Sequence, residues 1–230
     1  MSKSPFIRYF FLYLSICTLS ACTQAPSSLN TVIERGELVV LTRVDPTTYF
    51  IDESGVHGFE YELASLFAES LGIKVRFIFP EQFHQLLQLS TEHEADFVAA
   101  GLSITPERES LLNFTPPYYE VTQQVVYHYR TRRPKSITQL TGSFFEVLAD
   151  TSHAENLRQI QTKHPKLSWI ETPNTSVVEL VSMVNDHLLD YTIVDSNQFQ
   201  LIRGKFPNLN IAFDISKPEK IAWAFPISED

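Results

Sequence analysis

Short apolar runs alternate with stretches of helical periodicity along most of this chain. Glu37 to Thr42 is a compact run of β type, and Phe59 to Leu71 places Phe59, Leu63, Leu66 and Phe67 at helical spacing before stopping at Gly72. Lys74 to Phe79 alternates as a strand, Phe83 to Leu89 reads as a helix, and Asp96 to Gly101 reads as a buried strand. The order then recurs. Phe144 to Ala149 is a strand, Ala154 to Thr162 a helix, Leu167 to Glu171 a strand, Val177 to Asp186 a helix and Tyr191 to Val194 a strand. Asp96-Phe97-Val98 and Asp190-Tyr191-Thr192-Ile193 give both halves the same feature, an acid leading into a buried strand after an amphipathic helix. Strands alternating with helices predict an α/β fold with mostly parallel sheets. Gln124 to Tyr129 and Ile221 to Phe225 are strands that join the halves, which predicts two α/β lobes with two crossing strands and a cleft between them. The expected divisions are residues 29–126 plus 223–230 for lobe 1 and 127–222 for lobe 2.

Composition narrows the function. With 230 residues, 43% hydrophobic and 20% charged, the chain has the make-up of a globular protein. Its net charge is −9, and its only basic cluster is Arg130, Arg132, Arg133 and Lys135. A nucleic-acid binder needs a basic face to displace counterions from phosphates, so nucleic acid is excluded as a partner. The seven histidines (57, 84, 93, 128, 153, 164 and 187) are dispersed, and the two cysteines, Cys17 and Cys22, both precede the folded part. Neither a disulfide, a cysteine nucleophile nor a metal site is expected, and no cofactor. Acid pairs such as Glu60/Glu62 and Glu92/Glu94 are two residues apart and do not face each other on a helix. No G-x-S-x-G elbow occurs. The chain itself is expected to carry no catalytic residue.

The first 21 residues read as a targeting segment. Lys3 and Arg8 precede an apolar run, Tyr9 to Leu19, too short to span a bilayer. Leu19-Ser20-Ala21-Cys22 resembles the bacterial lipobox, which implies cleavage and lipidation at Cys22; the alternative is an ordinary secretory signal with a chance cysteine. Removing residues 1–21 takes two cations and no acid, moving the charge from −9 to −11. Residues 22–28 form a tether. Thr23, in place of an Asp after the cysteine, favours the outer membrane, on its periplasmic leaflet.

Ligands of open α/β sheets sit beyond the carboxyl ends of strands. At the first such junction, Ser103 precedes Thr105, an N-cap, and Pro106, suited to the first helical position; Arg108 then places a cation in the first turn, where the dipole disfavours it. Arg108 is either a carboxylate clamp or half of a surface pair. At the second, Asp195 ends a strand and can accept a ligand ammonium, or it can form a capping box with Gln198. At the third, Thr151 and Ser152 can cradle an anion at a helix start, or Ser152 and Glu155 can form a simple cap. Tyr49 and Phe50, with Tyr118 and Tyr119, either wall the cleft or pack on the core.

Taken together, Arg35-Gly36-Glu37-Leu38, Gly58-Phe59-Glu60-Tyr61-Glu62-Leu63-Ala64, Ala100-Gly101-Leu102, Thr105-Pro106-Glu107-Arg108, Phe114-Thr115-Pro116-Pro117-Tyr118 and Asp195-Ser196 resemble the family 3 extracellular solute-binding proteins over about 200 residues. Finer strings, Gln123-Gln124-Val125-Val126-Tyr127 and Pro165-Lys166-Leu167-Ser168-Trp169 among them, are similar to the N-terminal regulatory domain of the membrane-bound lytic murein transglycosylase F family. The resemblance implies the type II periplasmic binding fold, a small amino-acid- or peptide-like ligand, and roles for Arg108 on its carboxylate, Asp195 on its ammonium and Thr151 with Ser152 on the carboxylate loop. It also implies a peptidoglycan-cleaving domain beyond Asp230 and a last lobe 1 helix missing before it. Family importers have Gly where Asp150 stands; a carboxylate turned inward there would repel the ligand. Two other classes fit the same fold, an amino-acid receptor of an ABC importer and an enzyme of the cyclohexadienyl dehydratase kind.

Overall fold

The computed structural model describes residues 28–227. The leader, Cys22 and nearly all of the tether lie outside the described residues. Lobe 1 opens with α1 (Leu29–Arg35), β1 (Glu37–Leu41), the hairpin β2 (Phe50–Asp52) and β3 (Gly55–His57), and α2 (Phe59–Ser70). It continues with β4 (Lys74–Ile78), α3 (Phe83–Thr91), β5 (Phe97–Ser103), α4 (Pro106–Glu109), β6 (Leu112–Phe114) and β7 (Tyr119–Val121). Lobe 2 comprises β8 (Gln123–His128), β9 (Phe145–Leu148), α5 (Ser152–Gln161), β10 (Ile170–Thr172), α6 (Val177–Asn185), β11 (Tyr191–Asp195), α7 (Ser196–Ile202) and β12 (Leu209–Asp214). The chain then returns as β13 (Glu219–Pro226).

The lobe 1 sheet has the order β4-β1-β5-β13-β6, with β7 also on β13; the lobe 2 sheet has the order β10-β9-β11-β8-β12. The strands of each βαβ unit run parallel, whereas the returning strands β13 and β8 pair antiparallel with their neighbours. Two crossings therefore link the lobes, at residues 121–123 and 214–219. Both fall a few residues before the 126/127 and 222/223 divisions expected from sequence, because β8 pairs with β11 from Gln123 onward and β13 pairs with β7 from Glu219.

Successive strand residues point to opposite faces, and here both faces are covered. Val39, Leu41, Val98 and Leu102 enter one core of lobe 1, while Leu38, Val40, Phe97 and Ala99 enter the other. Phe145, Val147 and Ile193, against Leu148 and Val194, divide lobe 2 in the same way. This double burial is why the strands read as unbroken apolar runs, each fully buried Val or Leu contributing roughly 1.5–3 kcal/mol. The repeated acids play matching parts: Asp96 Oδ2 accepts from Val39 N at 2.7 Å, and Asp190 Oδ2 accepts from Phe144 N at 2.8 Å. Each ties the entry of one strand to its parallel neighbour.

The strand expected over Leu167–Glu171 begins only at Ile170. Leu167 is instead buried in the lobe 2 core from a turn, its carbonyl accepting from Gln161 Nε2 at 2.8 Å. Gly58 fixes the start of α2, where Phe59 and Tyr61 N–H groups donate to Thr47 and Thr48 carbonyls. Its φ of 138° leaves no space for a side chain, since a Cβ would lie 2.2 Å from the Thr48 oxygen.

Candidate functional site

The carboxyl end of β5 delivers Arg108 to the space between the lobes. Thr105 caps α4, its hydroxyl accepting from Arg108 N at 3.3 Å, and Pro106 starts the turn. The guanidinium is the largest fully buried side chain among the described residues, 1% exposed. Nη1 donates to the Ser103 carbonyl at 3.2 Å, and Nε donates at 3.2 Å to Glu155 Oε1, on the first turn of α5 across the cleft. Nη2 lies 3.0 Å from that oxygen but out of line for a hydrogen bond, and has no aligned acceptor. Burial pushes the guanidinium pKa down and Glu155 opposes the shift. A second cation, Arg43, follows β1; it and Arg108 each lie 5.4 Å from the Phe83 ring. Arg43 also lies 3.7 Å from Asp45.

Lobe 2 contributes the α5 and α7 starts. Asp150 adopts φ 60°, the left-handed region that glycine occupies most readily, and its carboxylate lies near His84 at 3.6 Å on the cleft rim, half exposed. It therefore does not turn onto the Thr151–Ser152 loop. Thr151 donates to the Leu148 carbonyl at 2.8 Å, and Ser152 Oγ reaches across to Ser103 Oγ at 3.4 Å. Asp195 Oδ1 sits 2.9 Å from His153 Nε2, and Asp195 forms a capping box with Gln198. Gln198 Nε2 donates to Asp45 of lobe 1 at 2.8 Å. Asp195 thus serves as a cap and also faces the space between the lobes, 8% exposed.

Buried polar atoms without hydrogen-bond partners are uncommon and call for a cause. Among the described residues seven such side-chain atoms occur, and five belong to this one region: Arg43 Nε, Arg108 Nη2, Gln123 Nε2, His153 Nδ1 and Glu219 Oε2. Gln123 spends its oxygen on Asn156 at 2.8 Å, and its amide nitrogen, out of line for a good hydrogen bond, has the Glu219 carboxylate beside it. Three of the five are donors and Glu219 Oε2 is an acceptor. If the neutral His153 ring donates from Nε2 to Asp195, Nδ1 is a second acceptor.

Arg108, Ser103, Ser152, Thr151 and Asp195 are brought together at the lobe interface, although Arg108 is already paired. Tyr49 is not among them: its ring packs on Phe79, Tyr61 and Phe77 at centroid distances of 4.6, 5.5 and 6.2 Å, within lobe 1. Glu155 figured in the sequence only as a cap, and Arg43, Gln123, His153 and Glu219 gave no separate signal. Arg43 follows the carboxyl end of β1, where the strand-end rule applies as it does at Arg108. A neighbouring cavity of about 1150 Å³ opens between the lobes past Asp45 and Gly101, walled by Phe59, Tyr118 and Leu201. Glu60 braces it, accepting from Gly101 N at 2.8 Å, from Trp223 Nε1 at 2.7 Å and from the Tyr118 hydroxyl, while burial raises its pKa. Among the described residues no group of three or more His, Cys, Asp or Glu is arranged to hold a metal, and no helix is long and apolar enough to cross a membrane.

Residues 38–167 match the family model of bacterial extracellular solute-binding proteins, family 3. The chain is 36% identical over 208 residues to a membrane-bound lytic murein transglycosylase F of Saccharophagus degradans, and the match covers 90% of this chain and 42% of that protein. It is 39% identical over 203 residues to a membrane-bound lytic murein transglycosylase F 1 of Alkalilimnicola ehrlichii, covering 88% and 41%. The chain thus spans less than half the length of these two relatives. Among solved structures, arginine-bound truncated ArgBP from T. maritima superposes with a TM-score of 0.77 at 23% identity, covering 86% of this chain and 92% of that one. An ancestral arginine-binding protein bound to glutamine gives 0.74 at 25% identity, covering 85% and 86%.

Proposed function

The chain belongs to the bacterial extracellular solute-binding proteins of family 3, with their type II periplasmic binding fold, and from that premise we propose that its lobes close on a small zwitterion, an amino acid or a short muropeptide-like peptide. The observation that carries this reading is the set of five unpartnered polar atoms gathered in the cleft. Arg43, Arg108 and Gln123 offer donors to a carboxylate; the Asp195 side, with His153 and Glu219, offers acceptors to an ammonium. A guanidinium and an acid on opposite walls fix both ends of such a ligand, and hinge closure at the two crossings encloses it. A ligand carboxylate entering here competes with Glu155 for Arg108.

We read the module as the ligand-sensing part of a murein-degrading lytic transglycosylase, acting by binding and not by turnover; the identity to the two curated relatives supports this. Lobe closure would then bias cleavage of glycan strands during cell-wall turnover. Lipidation at Cys22 would hold it in the periplasm against the outer membrane. Calorimetric titration with amino acids and muropeptides tests the central claim. Arg108→Ala should lose about 2 kcal/mol or more of binding, roughly thirtyfold or beyond, and Arg108→Lys should recover only part because it lacks the fork. Undiminished binding by Arg108→Ala rejects the clamp.

A further inference from the structure

We infer that the module associates head to tail, the basic outer end of lobe 2 docking on the acidic outer end of lobe 1 of a second copy. The inference goes beyond the ligand reading and does not depend on it. Strand direction sorts the charges. β8 runs from the crossing at Gln123 to His128, so Arg130 and Arg132 follow it at the end of lobe 2 remote from the cleft. Arg133 comes next, on the β12 edge, where it donates to the Ala212 carbonyl at 2.7 Å. α5 runs outward from Ser152 and leaves Lys163 and Lys166 at the same end. All five side chains are exposed, and none forms an ion pair among the described residues. Two acids share this end, Asp186 and Asp190, and Asp190 is taken up by Phe144 N. Beside Arg130 and Arg132 stand Tyr129 and Leu188, 51% and 62% exposed, their segments brought together by the His128 and His187 rings at a centroid distance of 4.0 Å. Exposed aromatic and aliphatic side chains flanked by arginines have the make-up of a protein interface.

The outer end of lobe 1 is the complement. β1 runs from Glu37 toward the cleft and α2 and α3 run away from it, so Glu34, Glu69, Glu92 and Glu94 gather where the helices end. All four are exposed and without an ion pair among the described residues. A helix carboxyl end repels anions, and neither α2 nor α3 has a cation in its last turn to relieve this. Ile33, 41% exposed, adjoins Glu34 as an apolar contact. The imbalance extends to whole lobes: residues 28–122 with 215–227 hold seven Lys and Arg against sixteen Asp and Glu, whereas 123–214 hold nine against nine. Opposite charge at opposite ends draws separate copies together, and a contact between two unlike patches repeats along a row.

The test is sedimentation velocity of the full chain over a range of concentrations in about 20 mM and about 0.5 M salt, between which the screening length falls from about 20 Å to about 4 Å. Association should grow with concentration in low salt and vanish in high salt. Arg130→Glu with Arg132→Glu reverses charge at one end, and Glu92→Lys with Glu94→Lys reverses it at the other. Each double variant alone should associate at least about tenfold more weakly, and an equimolar mixture of the two should recover association, since each supplies the end the other lacks. A monomer at every concentration in low salt overturns the inference, as does association that survives high salt, is unchanged in either variant or is not restored by mixing. A low-salt monomer that binds anionic phospholipid vesicles through Arg130 and Arg132 also overturns it and assigns the basic end to a membrane.

Discussion

Replacing Glu155 by Ala removes the one buried ion pair that bridges the lobes among the described residues. Its side chain is 10% exposed and that of Arg108 only 1%, and the closest approach is 3.0 Å. At that distance the attraction is about 5 kcal/mol for an effective dielectric of about 20, and desolvation of both groups offsets part of it. Breaking a buried pair by deleting one partner costs about 3–5 kcal/mol because the remaining charge stays uncompensated. Arg108 would keep the Ser103 carbonyl at 3.2 Å and the Phe83 ring, which favours the lower bound. A loss of about 3 kcal/mol lowers the midpoint of a chain this size by about 6–12 °C. Differential scanning calorimetry of the unliganded protein measures this directly. The same variant frees Arg108 for a ligand carboxylate, so a bound amino acid should raise its midpoint more than it raises that of the unaltered protein. A midpoint within about 2 °C of the unaltered protein, with an equal ligand shift, would refute the argument, since the pair would then contribute nothing in solution.

Gly58→Ala should destabilise lobe 1 by about 3 kcal/mol or more, because the new Cβ meets the Thr48 carbonyl and the backbone conformation is one that alanine resists; urea melts followed by tryptophan fluorescence read the loss. The raised pKa of Glu219 has a signed consequence. An acid whose folded pKa exceeds its ordinary 4.5 penalises folding progressively as pH climbs from that value to the folded one, and by a constant amount above it. Glu219→Gln should therefore gain stability relative to the unaltered protein between pH 4 and pH 7, and paired denaturant melts at the two values reveal an absent gain as readily as a present one.

The strands of both lobes were legible because burial on two faces forces unbroken runs such as Glu37–Leu41 and Tyr191–Asp195. The three-residue strands Leu112–Phe114 and Tyr119–Val121 were not, since too few residues alternate to show a period and their existence depends on β13 arriving beside them. The hairpin at Phe50–Asp52 and Gly55–His57 leaves its first strand largely exposed and carries no buried stripe to read. β12 was missed for a related reason: Leu209, Ile211 and Phe213 alternate, but Ala212 breaks the pattern by being buried as well. Arg108 stood out locally because a cation in a helix first turn needs an explanation. Its partner did not, because Glu155 in a first turn is ordinary, and only the meeting of two lobes gives it a second role. Glu219 likewise looks like a polar residue opening a strand until the crossing places it between the lobes.

The position of β13 inside its sheet orders events during synthesis. Lobe 2 is drawn from one continuous stretch and can assemble as soon as that stretch leaves the ribosome. In the lobe 1 sheet, Leu102 and Phe114 find their partners only in Ala222 and Ala224, residues made after all of lobe 2. Contacts so distant along the chain form slowly and leave strand edges uncovered meanwhile. The half of the protein translated first is thus the half that finishes last, and a nascent chain paused within lobe 2 would present an unfinished sheet as the surface most open to aggregation or to a chaperone.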